Sequence, residues 1–475
     1  MSCLSTPNEQ KAEQEAEPET KPEEEPEAEY DAAATRWVID AERLRSGAER
    51  DRVGLALARL VKRCQERVPF YRDRLRSPEQ QQQRHQQGIT LENYATLVAP
   101  TSKKDMRESH HEQLLGVARE EVRRFHSTSG TSGAAVLVGH TQGDLDAWTL
   151  LMGRTLRVAG VRPGDRFYNA YSYGPFTGGQ GYHQGASTVP GVCVIPASGV
   201  SVDRHVRTLS DLRVEVLGCT PHQALGIASH AHSRGVALHL RLIVTGSEPF
   251  SDAFSSGLMA LLPSLERVVD VYGLGEAMGP GVAAECGHPE ASGTLHLWDD
   301  YFYAEVVDAE GRPVPDGEPG ELLLTPLFRE ASPLLRYRTG DRTRVVSREQ
   351  CPCGLPSMRI ARICDRVDDA IFVNGATLFP SSIAAVLASR EALSPNHHEV
   401  HVTPHSQQLA DFSKQAILVK VEAHPSLAPD AYHATALDIE EALNAGFISC
   451  EPITVQILPP MSLPRYEGKS RHLFR

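Results

Sequence analysis

The sequence predicts an α/β protein, with a large layered α/β region followed by a small α+β unit. Three observations carry that prediction. From about residue 120 to 275, short β-rich runs alternate with helix-like stretches, and several runs end in Gly, Ser or Thr. Such alternation marks strands joined by crossover helices, with working residues on the loops that follow strands. Between about 300 and 345 the pattern changes to paired strands joined by "DAEGRP" and "PDGEPG", turn chemistry typical of antiparallel hairpins. After "ICDRVDDAIFVNG", the runs "HEVHVTP", "AILVKVEA" and "PITVQIL" accompany one amphipathic stretch, "ALDIEEALNAGF". Strands with a helix of this kind make a small α+β unit.

Taken in order, the chain opens on an acidic tail. Met1 to Tyr30 holds ten Glu and two Lys, a net charge of -8. The stretch from Glu9 to Glu29 has no aromatic residue and a single β-branched one, Thr20, so it cannot build a core and 1–35 is expected to be disordered. It reads either as a solvating bristle or as an acidic docking element. The stretch "RWVIDAERLRSGAERDRVGLALARLVKRCQERVPFYRDRL" has apolar residues at helical spacing with Pro69 as punctuation, predicting helices. The Gln-rich run "EQQQQRHQQG" is low in complexity and reads as a surface loop. Strands are then expected at "AVLVG", "RFYNAYSY", "VCVIPAS", "VEVLGCT", "LRLIVTG" and "RVVDVYG". No internal repeat is present.

Bulk properties exclude several classes. At 475 residues the chain is too long for one core, so two or more domains are expected. Of the net charge of -13, the tail carries -8, leaving a near-neutral remainder with no basic field for nucleic acid. No run of ~18 apolar residues suits a membrane span, and no secretory leader is visible, so the expected location is the cytoplasm. Nine Cys are scattered along the chain, which is not a disulfide framework.

The chemistry begins at "HSTSGTSGAAVLVG" (126–139). Ser129, Gly130, Thr131, Ser132 and Gly133 form a turn whose backbone N–H and hydroxyl groups suit phosphates. The turn has no cation, and no G-K-[ST] follows, so it is not a Walker loop. Taken alone, it reads equally well as a plain loop. "DVYGLGEAMGPG" sets Glu276 just after a strand and a Gly turn, where a carboxylate suits Mg²⁺ or merely caps a helix. "RYRTGDRTR" presents Asp341 on a turn, suited to accept two ribose hydroxyls. "TGSEPF" is a Gly-flanked turn after a strand, and "LPRYEGKSRHLFR" puts Lys469 on a Gly turn near the C-terminus.

In this order and spacing, these segments resemble the adenylate-forming (acyl-CoA synthetase) superfamily, in its phenylacetate–CoA ligase-like branch. The likeness runs from "VPFYRDRL" to the C-terminus, and "YGPFTGG" and "GEAMGPG" mark the branch. It implies a large N-terminal domain (36–367) of layered sheets with a small β-barrel-like subdomain, and a small mobile C-terminal domain (368–475). It also implies an aryl-CoA ligase that uses ATP, Mg²⁺ and coenzyme A. An aromatic acid becomes an acyl-adenylate, and a thiol then displaces AMP. By this resemblance the 129–133 turn holds phosphates, Gly246, Ser247 and Glu248 line the adenine with Tyr272, and Asp270 and Gly273 belong to the nucleotide site. Asp341 takes the ribose, with Arg362 and Arg366 nearby. Glu276 and Lys469 are catalytic, and Asp368 is the hinge. Tyr173, Gly174, Phe176, His222 and Gly273 border the acyl group, the two aromatics suiting a planar acid.

The sequence also departs from the family. Where relatives carry a lysine at the end of the phosphate turn, Ala134 and Ala135 stand here, so a weaker grip on ATP is expected. Asp365 replaces the usual glycine of the hinge, and "NGATLFPSSIA" lacks the family's Arg, Asn and Glu. These changes leave the acceptor open between coenzyme A and a carrier-protein arm or amine. An adenylate-binding protein without catalysis is a third alternative. Cys351 and Cys353 of "CPCG" form half a tetrahedral metal site or a pair of reduced thiols. The resemblance completes a structural Zn²⁺ site with Cys286 and, in preference to His288, His296. A homodimer is left open.

Overall fold

Apolar alternation along five short strands builds the centre of the molecule. In a computed structural model, described for residues 47–75, 88–128, 135–369, 371–373, 376–404, 415–446, 453–464 and 473–474, a nine-stranded sheet forms the core. Cys193–Pro196, Arg166–Asn169, Val216–Cys219, Leu242–Gly246 and Arg267–Leu274 lie side by side in parallel. Gly279–Ala284, Thr294–Leu297, Arg359–Ala361 and Val345–Ser347 extend the sheet antiparallel. The two-residue period of a strand sends alternate side chains to opposite faces. Phe167, Val216 and Val244 therefore join Trp148, Leu151 and Leu156 on one face. Tyr168, Leu217 and Ile243 join Val206, Ile227 and Leu258 on the other. Burial on both faces is what parallel strands require.

The covering helices are written locally. Thr141 caps Gln142–Ala159 in a reciprocal box with Asp144, and Gly160 ends the helix at φ 105°, a left-handed conformation that glycine adopts without Cβ strain. Thr220 and Gln223 box the start of Pro221–Ser233, with proline at the first turn. Each cap satisfies amide donors that the first helical turn leaves free.

Beside the central sheet, Phe302–Val307, Gly320–Pro326, Tyr337–Thr343 and Asp365–Arg366 make a four-stranded antiparallel sheet. Arg336 anchors it. Its guanidinium is 2% exposed, pairs with Glu305 and donates to the carbonyls of Ala95, Val98 and Gly311. With its charge answered and its donors engaged, the buried pair avoids the cost of an uncompensated ion. The C-terminal strands Leu393–Pro404, Gln415–Ala423, Ile453–Leu458 and Leu473–Phe474 form another sheet with their own apolar core, which includes Ile383, Val400, Val419 and Ile439. The acidic tail, most of the Gln-rich run, the 129–133 turn and Lys469 lie outside the described residues. Among the described residues, no helix is long and apolar enough to cross a membrane.

Candidate active site

The hairpin Arg124–Ser127 with Leu137–His140 carries the Ser/Thr/Gly turn at its tip. Thr128 closes the base: its N–H donates to the Val136 carbonyl, and its hydroxyl accepts from Val136 N–H at 3.1 Å. Ser127 N–H donates to the Pro175 carbonyl, which ties this base to the "YGPF" loop. A Cβ on Gly275 would touch the Thr128 side chain at 3.4 Å, so the base of the hairpin lies beside the "GLGEA" segment. Sequence distance gave no hint of that adjacency.

One strand, Tyr337–Thr343, organises the rest. Tyr337, Thr339 and Asp341 share its buried face. Tyr272 donates its hydroxyl to Asp341 Oδ2 at 2.6 Å, and Arg366 pairs with the other carboxylate oxygen. The Thr339 hydroxyl accepts from Asp341 N–H at 3.0 Å, while its carbonyl accepts from Arg366 at 3.1 Å. Asp341 is thereby oriented and its charge partly answered. Burial raises the Tyr272 phenol well above its ordinary value, with the Asp341 charge adding to the shift. Its proton stays on that hydrogen bond.

At the other end of the strand stands a residue the sequence reading did not single out. Lys103 Nζ lies 2.9 Å from Glu276 Oε1 as an ion pair. Backbone pairing puts it there. Thr101 N–H donates to Arg336 O and Thr101 O accepts from Arg338 N–H, laying the segment along the strand. Ser102 then caps the helix Lys103–Glu108 in a box with Asp105, so Lys103 opens the first turn. The "SKKD" cap pattern is legible in the sequence. Its proximity to Glu276 is not.

The remaining expected residues divide. Gly246 packs so closely that a Cβ would lie 2.2 Å from the Val271 carbonyl, and on Gly273 one would lie 2.1 Å from that of Gly279. Ser247 adopts φ 74°, a strained conformation of the kind that collects at functional sites. Asp270 is buried, and desolvation reinforced by Glu285 pushes its carboxyl up to about 8. Arg362 turns to Glu285 and Asp252 across the Phe250 ring. Arg366 is therefore the arginine bonded to Asp341. The Tyr173 hydroxyl is fixed by Asn169 at 2.8 Å and His183 at 3.0 Å, while Phe176 is 42% exposed. The His222 ring meets His397 of the C-terminal sheet edge-on at 6.0 Å. Asp365, the residue in place of the hinge glycine, accepts from Ser381 N–H at 3.3 Å and so helps cap the helix Pro380–Ala388. Glu248 is partly exposed and Gly174 exposed on their loops, and Asp368 falls in the short turn Val367–Asp369.

Away from this strand, Cys286, His296, Cys351 and Cys353 present ligand atoms within 4.8 Å of one another. A tetrahedral zinc with bonds of about 2.3 Å needs sulfur atoms about 3.8 Å apart, so the set is of the right size. The Ser357 hydroxyl lies 2.9 Å from His296 Nδ1, while Nε2 faces Cys353 Sγ at 3.5 Å. His288 instead accepts the Glu290 N–H and stays outside the set.

A mixed α/β sheet beside a small antiparallel sheet, with Asp341 held by Tyr272 and Arg366 on one strand, sets the frame for comparison with known proteins. Residues 47–325 match the model of the AMP-binding enzyme family, and the chain belongs to that family. Within it, the chain belongs to the phenylacetate–CoA ligase branch of AMP-forming acid–thiol ligases. It is 40% identical to a phenylacetate-coenzyme A ligase of Thermus thermophilus over 87% of this chain and 93% of that protein. It is 33% identical to a Pseudomonas putida protein of the same name, over 87% and 91%. A crystal structure of 2-hydroxyisobutyryl-CoA ligase in the postadenylation state has the same fold, with a TM-score of 0.79 over 90% of both chains at 22% identity. Relatives of this branch use ATP and coenzyme A, and neither a carrier-protein acceptor nor loss of catalysis is favoured.

Proposed function

We propose that the chain condenses an aryl carboxylic acid of the phenylacetate type with ATP, then passes the acyl group to coenzyme A. The observation that carries this reading is the single strand with Asp341 at one end and Tyr337, Glu276 and Lys103 at the other. Four residues of strand separate the ends by about 13 Å, room to lay a ribose at one end and a phosphate chain toward the other. Asp341, steadied by Tyr272 and Arg366, accepts the ribose hydroxyls. The 129–133 turn supplies N–H and hydroxyl donors to the phosphates, and Lys103 supplies the cation that this turn lacks. The acid's carboxylate oxygen attacks the α-phosphorus, and the bond to pyrophosphate breaks. Lys469 offsets the repulsion between the two anions. The thiol of coenzyme A then attacks the acyl carbon and AMP departs. Between the steps, 368–475 turns on 36–367 about Asp368.

Glu276 fits a Mg²⁺ held mainly by substrate phosphates, which asks the protein for only one or two carboxylates. When bound, that ion supplies further charge neutralisation. Cys286, His296, Cys351 and Cys353 hold a structural Zn²⁺ that ties the strands Thr294–Leu297 and Arg359–Ala361 to the "CPCG" turn. The enzyme works in the cytoplasm. Pyrophosphate release measured over a panel of aryl acids, with mass spectrometry for the CoA thioester, tests the reading. Release with phenylacetate followed by thioester is expected; no release with any acid would overturn it.

A further inference from the structure

We infer that the Glu-rich N-terminal segment of this chain docks, in cis, in a basic cleft built by the helix Gly47–Arg67. The cleft encloses about 440 Å³, and Arg59, Lys62, Arg63 and Arg67 line it together with Glu66, Val117, Glu121 and Glu330. Residues 59, 63 and 67 are each four apart, so their side chains stack on one helix face. Stacked like charges repel unless carboxylates answer them. Here each nearby carboxylate already has a partner. Glu66 approaches Lys62, at 4.0 Å. Glu121 accepts the Ala118 N–H at 3.0 Å, and the Glu330 carboxylate accepts the Thr141 hydroxyl at 2.8 Å. Arg63 bonds the main-chain carbonyl of Glu330 at 2.8 Å. Among the described residues, the side chains of Arg59 and Arg67 make no ion pair or hydrogen bond, and both are exposed. Among the described residues, three guanidinium forks that make no ion pair thus share one cleft, a surface suited to further acidic side chains.

The same chain carries the complementary group. Ten glutamates lie between Met1 and Tyr30, among them the run Glu23, Glu24 and Glu25. The stretch from there to Gly47 spans up to about 70 Å when extended, and Arg63 lies only about 24 Å along the helix from Gly47. Reach is ample. A tethered ligand meets its site at an effective concentration of the order of mM. Exposed ion pairs that are weak singly then hold a populated contact, and salt weakens it. Charge matching and tethering together select this segment over an acidic partner from outside.

A benzoyl-phenylalanine placed at position 24 of the full-length chain, irradiated at low salt and mapped by mass spectrometry, tests the contact. Crosslinks are expected within 55–70 or 112–122, in a monomer-sized product. Their yield should fall on the order of five-fold in R59E/R67E and likewise at about 0.5 M salt. Neither arginine holds another described residue, so the variant should keep its fold and its pyrophosphate release. Crosslinks scattered over the surface and indifferent to charge reversal would overturn the inference. So would crosslinks confined to a dimer-sized product, which would make a second copy the host.

Discussion

Replacing Lys103 by methionine asks whether the lysine acts on substrate or merely neutralises Glu276. Two unit charges 2.9 Å apart attract by about 6 kcal/mol at an effective dielectric of about 20, and by about 1.4 kcal/mol in bulk water. The Lys103 side chain is 29% exposed while that of Glu276 is 6% exposed. Water therefore screens the cation end, and the lower half of that range applies. K103M should cost about 1.5–3 kcal/mol of stability, because it strands a buried carboxylate. In turnover, a cation aimed at developing phosphate charge is worth about 10²–10³-fold in kcat. Coupled pyrophosphate release at saturating ATP and acid, well below the melting temperature, separates the two effects. K103R, which keeps the charge, should recover most of the rate. If K103M melts lower yet turns over within about two-fold of the parent, the lysine only balances Glu276 and the proposed role fails.

Asp341→Asn keeps the Tyr272 hydrogen bond but removes the charge beside Arg366; a lost charged hydrogen bond of about 1.5–3 kcal/mol should lower kcat/KM for ATP by about 10–100-fold, read by steady-state kinetics. Asp270 titrates near 8 in the fold against 3.8 when free, so the folded state holds a proton that the unfolded chain releases between those values. Its contribution therefore turns against folding as pH rises through that window, with the full penalty above about 8. Asp270→Asn should raise the melting temperature more at pH 8.5 than at pH 5, as thermal unfolding will show. Cys351→Ser should abolish stoichiometric zinc by elemental analysis and lower the melting temperature, and a strong chelator should do the same to the parent protein.

What the sequence by itself determined is whatever depends on neighbours along the chain. The alternation at "RFYNAY" and "LRLIVTG" sets which strand residues face each core, and Thr141–Asp144 and Thr220–Gln223 write the helix starts. The order of "STSGTSG", "GEAMGPG" and "RYRTGD" was enough to identify the family, and the family resemblance singled out Cys286, His296, Cys351 and Cys353, whose ligand atoms the fold brings within 4.8 Å. Tertiary structure decided the partnerships. Lys103 reaches Glu276 only because Thr101 pairs with the strand at Tyr337, a contact spanning more than 230 residues that leaves no periodic trace. Arg362 and Arg366 are equal candidates in the sequence, yet strand pairing brings Arg366 to Asp341, while Glu285 and Asp252 hold Arg362. Asp365 stands where relatives have a glycine, and the helix beginning at Pro380 supplies the Ser381 amide whose hydrogen bond its carboxylate accepts. The reason is physical: caps and periodicity are short-range, whereas an ion pair forms wherever folding leaves two charges together out of water.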